Sequence, residues 1–233
     1  RPAGPDLTLY RSVSFGDLVR FNVLDTRQYR SNQGGMCAAT EREENDGYCA
    51  KAFDPERTML GADQKGWLLD GFGQTTARWN ILAQQVPFAR IDLDRDPAVE
   101  AYGDDEMDKW DAYAGEREEV LAAMSDAATA QGFHPIVITG DVHVNQAWDL
   151  KRDWDAPDGE GIIGSEFVGT SISSNGDSAL EDGGFATVCG GYFGNNHNRF
   201  YDNHRGYVLV DVDADQMRAT YRGMTAIEVP DGE

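Results

Sequence analysis

The alternation of apolar and polar positions marks out the framework of this chain. Residues 18–24 (LVRFNVL) alternate in part and predict a strand that ends at Asp25. A polar, glycine-rich loop then runs to about Asp54. Residues 75–86 read as a helix, with Thr75 or Thr76 as its N-cap and Pro87 just beyond its end. Residues 115–131 are amphipathic: Val120, Leu121, Met124, Ala127 and Ala128 share one face, and Gly132 stops the helix. Residues 135–139 (PIVIT) form a short continuous apolar run, the pattern of a strand buried within a sheet, and Gly140 ends it. Residues 162–172 predict one or two further strands. After glycine-rich segments, residues 207–212 and 217–221 predict a closing hairpin around Asp213-Ala214-Asp215. Strands and helices in this order predict a layered α/β domain. The opening Arg1-Pro2-Ala3-Gly4-Pro5 reads as linker, and nothing after it resembles the start of a doubly wound sheet.

Composition narrows the picture. A chain of 233 residues, 40% of them hydrophobic, can bury a sizeable core. No run approaches the roughly 18 apolar residues of a membrane span. Acidic residues outnumber basic ones by 41 to 20, a net charge of -21 that repels nucleic acid and anionic membranes. Eight of the acidic residues fall within positions 92–109, which read as an exposed loop. Of three cysteines, Cys37 and Cys49 lie 12 apart in the polar stretch, where a disulfide would close the loop and fit an extracellular protein. Cys189 is left over, either free and buried or paired with another chain.

Candidate chemistry gathers where strands end. Asp141 and His143 follow the PIVIT strand directly. If the chain stays extended, residues two apart point the same way, and a carboxylate and an imidazole project together from the strand's C-terminal end. That is where open α/β sheets hold ligands, and the pair suits iron, zinc or manganese. The local alternative is a capped strand end. Asp111, just before the helix at 115–131, is either a helix cap or a third carboxylate for the same site. After the first strand, Arg27 or Arg30 can grip a phosphoryl oxygen through a guanidinium fork; an Asp25–Arg27 ion pair that pins the loop is the plainer reading. Residues 169–176 (GTSISSNG) form an anion nest or an ordinary turn. His197 and His204 are ligands, substrate contacts or loop supports. The chain lacks a Gly-x-Ser-x-Gly elbow, a phosphate-binding Gly-x-x-x-x-Gly-Lys-Ser/Thr loop and a Cys-x-x-Cys pair.

Seven segments stand together in one order: FNVLDTRQYRSNQ (21–33), TMLGADQKGWLLDGF (58–72), ARWNILAQQVPF (77–88), KWDAYAGER (109–117), VITGDVH (137–143), EFVGTSISSNG (166–176) and DNHRGYVLVDV (202–212). In these the chain resembles the C-terminal part of PhoD-like alkaline phosphatases, a branch of the calcineurin-like metallophosphoesterases. The resemblance covers nearly all of residues 1–233, as the C-terminal part of a single catalytic domain.

The resemblance implies a fold in which two mixed sheets form a sandwich flanked by helices, and a site holding iron (Fe3+) and calcium. It implies hydrolysis of phosphomonoesters and phosphodiesters by water activated at the metals. Asp111, Asp141 and His143 resemble metal ligands. Arg27 resembles a phosphate contact, and His197 a substrate contact, although Asn196 stands where the family often has Pro. The motifs of the family's first half are absent, so the resemblance implies half a sandwich, completed by an upstream N-terminal fragment. Two alternatives follow: a phospholipase D-type phosphodiesterase of the same family, or a non-catalytic calcium-binding or scaffold fragment if that half is missing. A secreted location is implied.

Overall fold

A computed structural model describes residues 7–32, 49–91, 108–174 and 195–224. Cys37, Cys189, positions 92–107 of the acidic loop and the end of the 169–176 segment lie outside them. In chain order the strands are Arg11–Phe15 (β1), Val19–Val23 (β2), Trp79–Ala83 (β3), His134–Thr139 (β4), Asn145–Lys151 (β5), Ile162–Val168 (β6), Asn198–Asp202 (β7), Gly206–Val212 (β8) and Met217–Gly223 (β9). The helices are Gly61–Phe72 (α1) and Ala114–Gln131 (α2). The result is an α/β architecture around a seven-stranded sheet of order β1-β2-β3-β4-β6-β5-β7, with β8 and β9 as a separate hairpin.

The four strands β2, β3, β4 and β6 run parallel, while β1, β5 and β7 pair antiparallel at the sides. Parallel strands are buried on both faces, which is why β4 reads as an unbroken apolar run. On one face, Leu82, Val137 and Val168 pack with Leu68 and Phe72 of α1 and with Val120, Leu121 and Met124 of α2. On the other, Val19, Trp79, Ile81 and Ile136 form a smaller cluster against Val212 and Met217 at the turn end of the β8–β9 hairpin. The Trp79 indole N–H donates to the Asp213 carbonyl at 2.7 Å and fixes that turn. Beyond it Phe15, Tyr207 and Leu209 stay exposed.

Residues 75–86 are not a helix but carry the interior strand β3. In WNILA the first four positions are buried, with Trp79 and Ile81 on one face of the sheet and Leu82 on the other, and such burial on both sides also satisfies a buried helix. Pairing with β2 and β4 on either side decides the outcome. Helix α2 begins one residue before the predicted start and ends where expected: Gly132 takes φ 77°, and its N–H caps the Ala128 carbonyl at 2.8 Å. The predicted closing hairpin is present as β8–β9.

Candidate active site at the ends of the parallel strands

The parallel strands deliver their C-terminal ends to one edge of the sheet. Residues 24–27 leave β2, 84–86 leave β3, 140–143 leave β4 and 169–171 leave β6. The ladder continues past the strands: Leu24 N–H donates to Ala83 O at 2.9 Å, Gln84 N–H to Ile138 O at 3.1 Å, and Gly169 N–H to Thr139 O at 2.9 Å. Each loop therefore starts from a fixed point.

Beyond Thr139 the chain does not stay extended. Asp141 has φ 76° and His143 φ 57°. Val142 N–H turns back to Gly140 O at 3.0 Å, making a three-residue turn with Asp141 at its centre. A positive φ at the centre of so tight a turn is the rarer, strained hand, costing a non-glycine residue about 1–3 kcal/mol. The two side chains are thus presented by a contorted loop and not by strand alternation. The His143 carbonyl is held by the Thr170 hydroxyl at 3.0 Å, and Thr170 N–H donates to the Asn145 side chain at 3.2 Å.

Arg27 reaches across from the β2 loop. Its guanidinium lies 2.9 Å from an Asp141 carboxylate oxygen and 3.4 Å from Asp108. The Asp25 carboxylate accepts from the backbone N–H groups of Arg27 and Gln28, each at 3.0 Å. Asp25 therefore pins the loop through its backbone, and the Arg27 charge is spent on Asp141 and Asp108. Gln64 of α1 grips the same loop, accepting from Asp25 N–H at 2.7 Å and donating to Asp25 O at 2.9 Å.

Asp111 sits in a 3-10 turn, Trp110–Tyr113, and is buried. It does not cap α2, whose first turn carries no side-chain cap. One of its oxygens pairs with the fully buried Arg117, and the other accepts from Ile91 N–H at 3.2 Å. Among the described residues, no group of three or more His, Cys, Asp or Glu could hold a metal ion. His197 is 1% exposed. Its Nε2 lies 2.7 Å from the Arg90 carbonyl, and its ring packs on Trp148 and Trp154. Burial pushes its pKa down to about 4, so the ring is neutral and committed to the interior. His204 is exposed and paired through Nδ1 with Asp202 at 2.5 Å. Cys49 is disulfide-bonded, to a cysteine outside the described residues.

Sequence reasoning passed over Glu166. It is fully buried behind the strand ends, accepting from Phe88 N–H at 2.8 Å, Ala89 N–H at 2.7 Å and the Thr139 hydroxyl at 3.0 Å. Burial outweighs these bonds and raises its pKa to about 7. Its place in the EFVGTSISSNG segment, an acid inside an apolar strand, was the available signal.

The model of the PhoD-like phosphatase family matches residues 1–221. Alkaline phosphatase D of Bacillus subtilis (strain 168) is 38% identical over 232 residues, which make up 98% of this chain and 36% of that protein. A solved structure described as the structure of PhoD superposes with a TM-score of 0.73 at 34% identity, over 98% of this chain and 41% of that one. The chain therefore spans well under half the length of the relatives it matches. With the family model matching residues 1–221 of 233, the chain belongs to the PhoD-like phosphatase family.

Proposed function

We propose that this chain is the C-terminal part of a phosphoester hydrolase whose reacting centre lies at Asp141, His143 and Arg27. One observation carries the reading: a carboxylate in a strained turn, 2.9 Å from a guanidinium, at the ends of parallel strands. Strain of this kind persists at functional sites because the surroundings over-determine it. Alkaline phosphatase activity, which the relative's name states for that protein, supplies the reaction class.

The donor chemistry of Asp141 and His143 suits calcium and iron, but two donors fit only part of a metal site. Asp111 joins it only by exchanging Arg117 and the Ile91 N–H for the cation. The remaining donors would come from an N-terminal fragment outside these 233 residues. That fragment would also cover the exposed apolar side chains Phe15 of β1 and Tyr207 and Leu209 of β8, and complete a two-sheet sandwich. When bound, iron and calcium supply Lewis acidity and an activated water. Arg27 supplies positive charge for the phosphoryl oxygens, which compete with Asp141 and Asp108 for its N–H groups. The disulfide at Cys49 supports a secreted location.

The test is Asp141→Asn in the complete enzyme, assayed on a phosphomonoester, a phosphodiester and phosphatidylcholine, with metals quantified. The variant is expected to lose most activity. Full activity at normal metal content would overturn the assignment, and the preferred substrate separates phosphatase from phospholipase D-type action. The absence of a three-donor group among the described residues favours a second reading, a non-catalytic scaffold. Purified material with neither iron nor a second polypeptide would support that reading instead.

A further inference from the structure

Gln85 is exposed, yet its side-chain amide is almost fully used. The oxygen accepts from Thr26 N–H at 2.8 Å and from the Thr26 hydroxyl at 2.6 Å. The NH2 group donates to Leu24 O at 2.9 Å. These partners fix the orientation of the amide, because a flipped group would set its NH2 against the Thr26 N–H and its oxygen against the Leu24 carbonyl. The backbone carbonyl of the same residue accepts from Gly140 N–H at 3.3 Å. One residue at the end of β3 thus holds the β2 loop, which carries Arg27, with its side chain. Its main chain holds the β4 loop, which carries Asp141.

Its neighbour gives the contrast. The Gln84 side chain turns inward, bonding Val86 N–H and O and the Trp110 indole N–H. Gln84 organises its own loop inside the core. Gln85 contributes nothing to the core; its bonds join the two flanking loops. Arg27 lies one residue beyond Thr26, and Asp141 one residue beyond Gly140. This glutamine therefore supports both sides of the 2.9 Å contact between their side chains, joining the two loops that Asp25 and Gln64 on one side and Thr170 on the other hold separately.

We propose that Gln85 is a positioning residue that sets the Arg27 guanidinium against Asp141. This rests on the phosphoester hydrolase reading above. Gln85→Leu keeps the bulk of the side chain and removes its three hydrogen bonds. An error of about 1 Å in the placement of a reacting group costs up to about 100-fold in rate. A loss of about 10-fold or more in kcat/KM is therefore expected, with metal content unchanged.

The discriminating experiment is a double-mutant cycle in the complete enzyme with Gln85→Leu, Arg27→Ala and the pair. If Gln85 acts through Arg27, the double variant is no slower than Arg27→Ala alone. Multiplicative losses would overturn the proposal, because a general weakening of the fold adds to the loss of Arg27. Hydrogen exchange gives a readout independent of activity. Thr26 N–H should exchange faster in Gln85→Leu while Leu82 N–H, inside β3, keeps its protection; equal acceleration at both would also overturn it. Should Gln85→Leu not fold, Gln85→Glu takes its place in the cycle, since it keeps the acceptor for Thr26 and loses the donor to Leu24. A wild-type enzyme that cleaves no phosphoester refutes the function and this inference together. An active wild type with a multiplicative cycle refutes this inference alone.

Discussion

Glu166 makes the protein's stability depend on pH in a direction opposite to that of most carboxylates. Its pKa rises from 4.5 to about 7 on folding because burial penalises the charged form more than its three hydrogen bonds favour it. The folded state therefore binds this proton more tightly than the unfolded state. The stability contribution is full below pH 4.5, falls as the pH rises towards 7, and is constant above. The gap between 4.5 and about 7 amounts to ~3 kcal/mol, of which about 2 kcal/mol falls between pH 5 and pH 8. Glu166→Gln has no such dependence, although its NH2 group faces an N–H of Phe88 or Ala89 and lowers stability at every pH. Urea unfolding of both proteins at pH 5 and pH 8 isolates the effect, because all other titrations cancel in the difference. The variant's deficit relative to wild type should shrink by about 2 kcal/mol on going from pH 5 to pH 8. A deficit that is the same at both values would refute the reasoning, and would mean that Glu166 is not buried as the structure has it.

Three further outcomes are expected. His197 has the opposite sign: its pKa falls from 6.5 to about 4, so its contribution is full above pH 6.5 and lost on acidification. Relative to His197→Gln, wild type should lose about 2 kcal/mol between pH 7 and pH 5, read from urea midpoints at the two values. Asp111→Ala leaves the buried Arg117, among the described residues, with a 3.4 Å contact to Glu118 and the Trp154 ring at 5.4 Å; a destabilisation of about 3–5 kcal/mol should follow in urea unfolding, and a much smaller one would mean that the pair is open to water. A Cβ at Gly164 would lie 2.4 Å from the Pro135 carbonyl across the β4–β6 pairing, where backbone must move to make room. Gly164→Ala should cost at least about 1–3 kcal/mol, visible as a lowered thermal midpoint.

The frame was legible where burial and pattern agree. PIVIT reads as a buried strand because a parallel strand has two apolar faces, and α2 reads as a helix because Val120, Leu121 and Met124 fall on one side. The same logic failed at residues 75–86, where apolar side chains on both faces satisfy either period. Helix α1 escaped notice because Gly61, Gly66 and Gly71 interrupt it. Tertiary packing of Leu68 and Phe72 holds it, against the propensity of its glycines. Strand β5 was hidden by its buried polar residues: Asn145 bonds Asp202 and His204 far along the chain, while the side chains of Gln146 and Lys151 bond nearby, to Trp148 and to the carbonyls of Ala156 and Pro157. At the candidate site, residue identity was legible and geometry was not. Gly-Asp-Val-His after a strand announces ligand chemistry, but no periodicity announces two positive φ angles. Nor does sequence show that Arg27 reaches an aspartate 114 positions away.

These unread contacts share a physical logic. A strained turn relaxes unless its flanks are fixed, and each flank of Asp141 is tied to something immobile. Before it, the Thr139 hydroxyl is bonded to buried Glu166, and Gly140 N–H to the Gln85 carbonyl. After it, the His143 carbonyl is bonded to Thr170, whose N–H is held by buried Asn145. These supports are polar because backbone groups can be fixed in direction only by hydrogen bonds; apolar packing has none. The cost is a buried carboxylate whose pKa is raised to about 7, a destabilisation that a core built for stability alone would avoid. Glu166 is therefore explained by the loop it holds. A variant that relieved its burial by unpinning residues 86–91 and Thr139 would gain stability at pH 8 while releasing Asp141 from its turn.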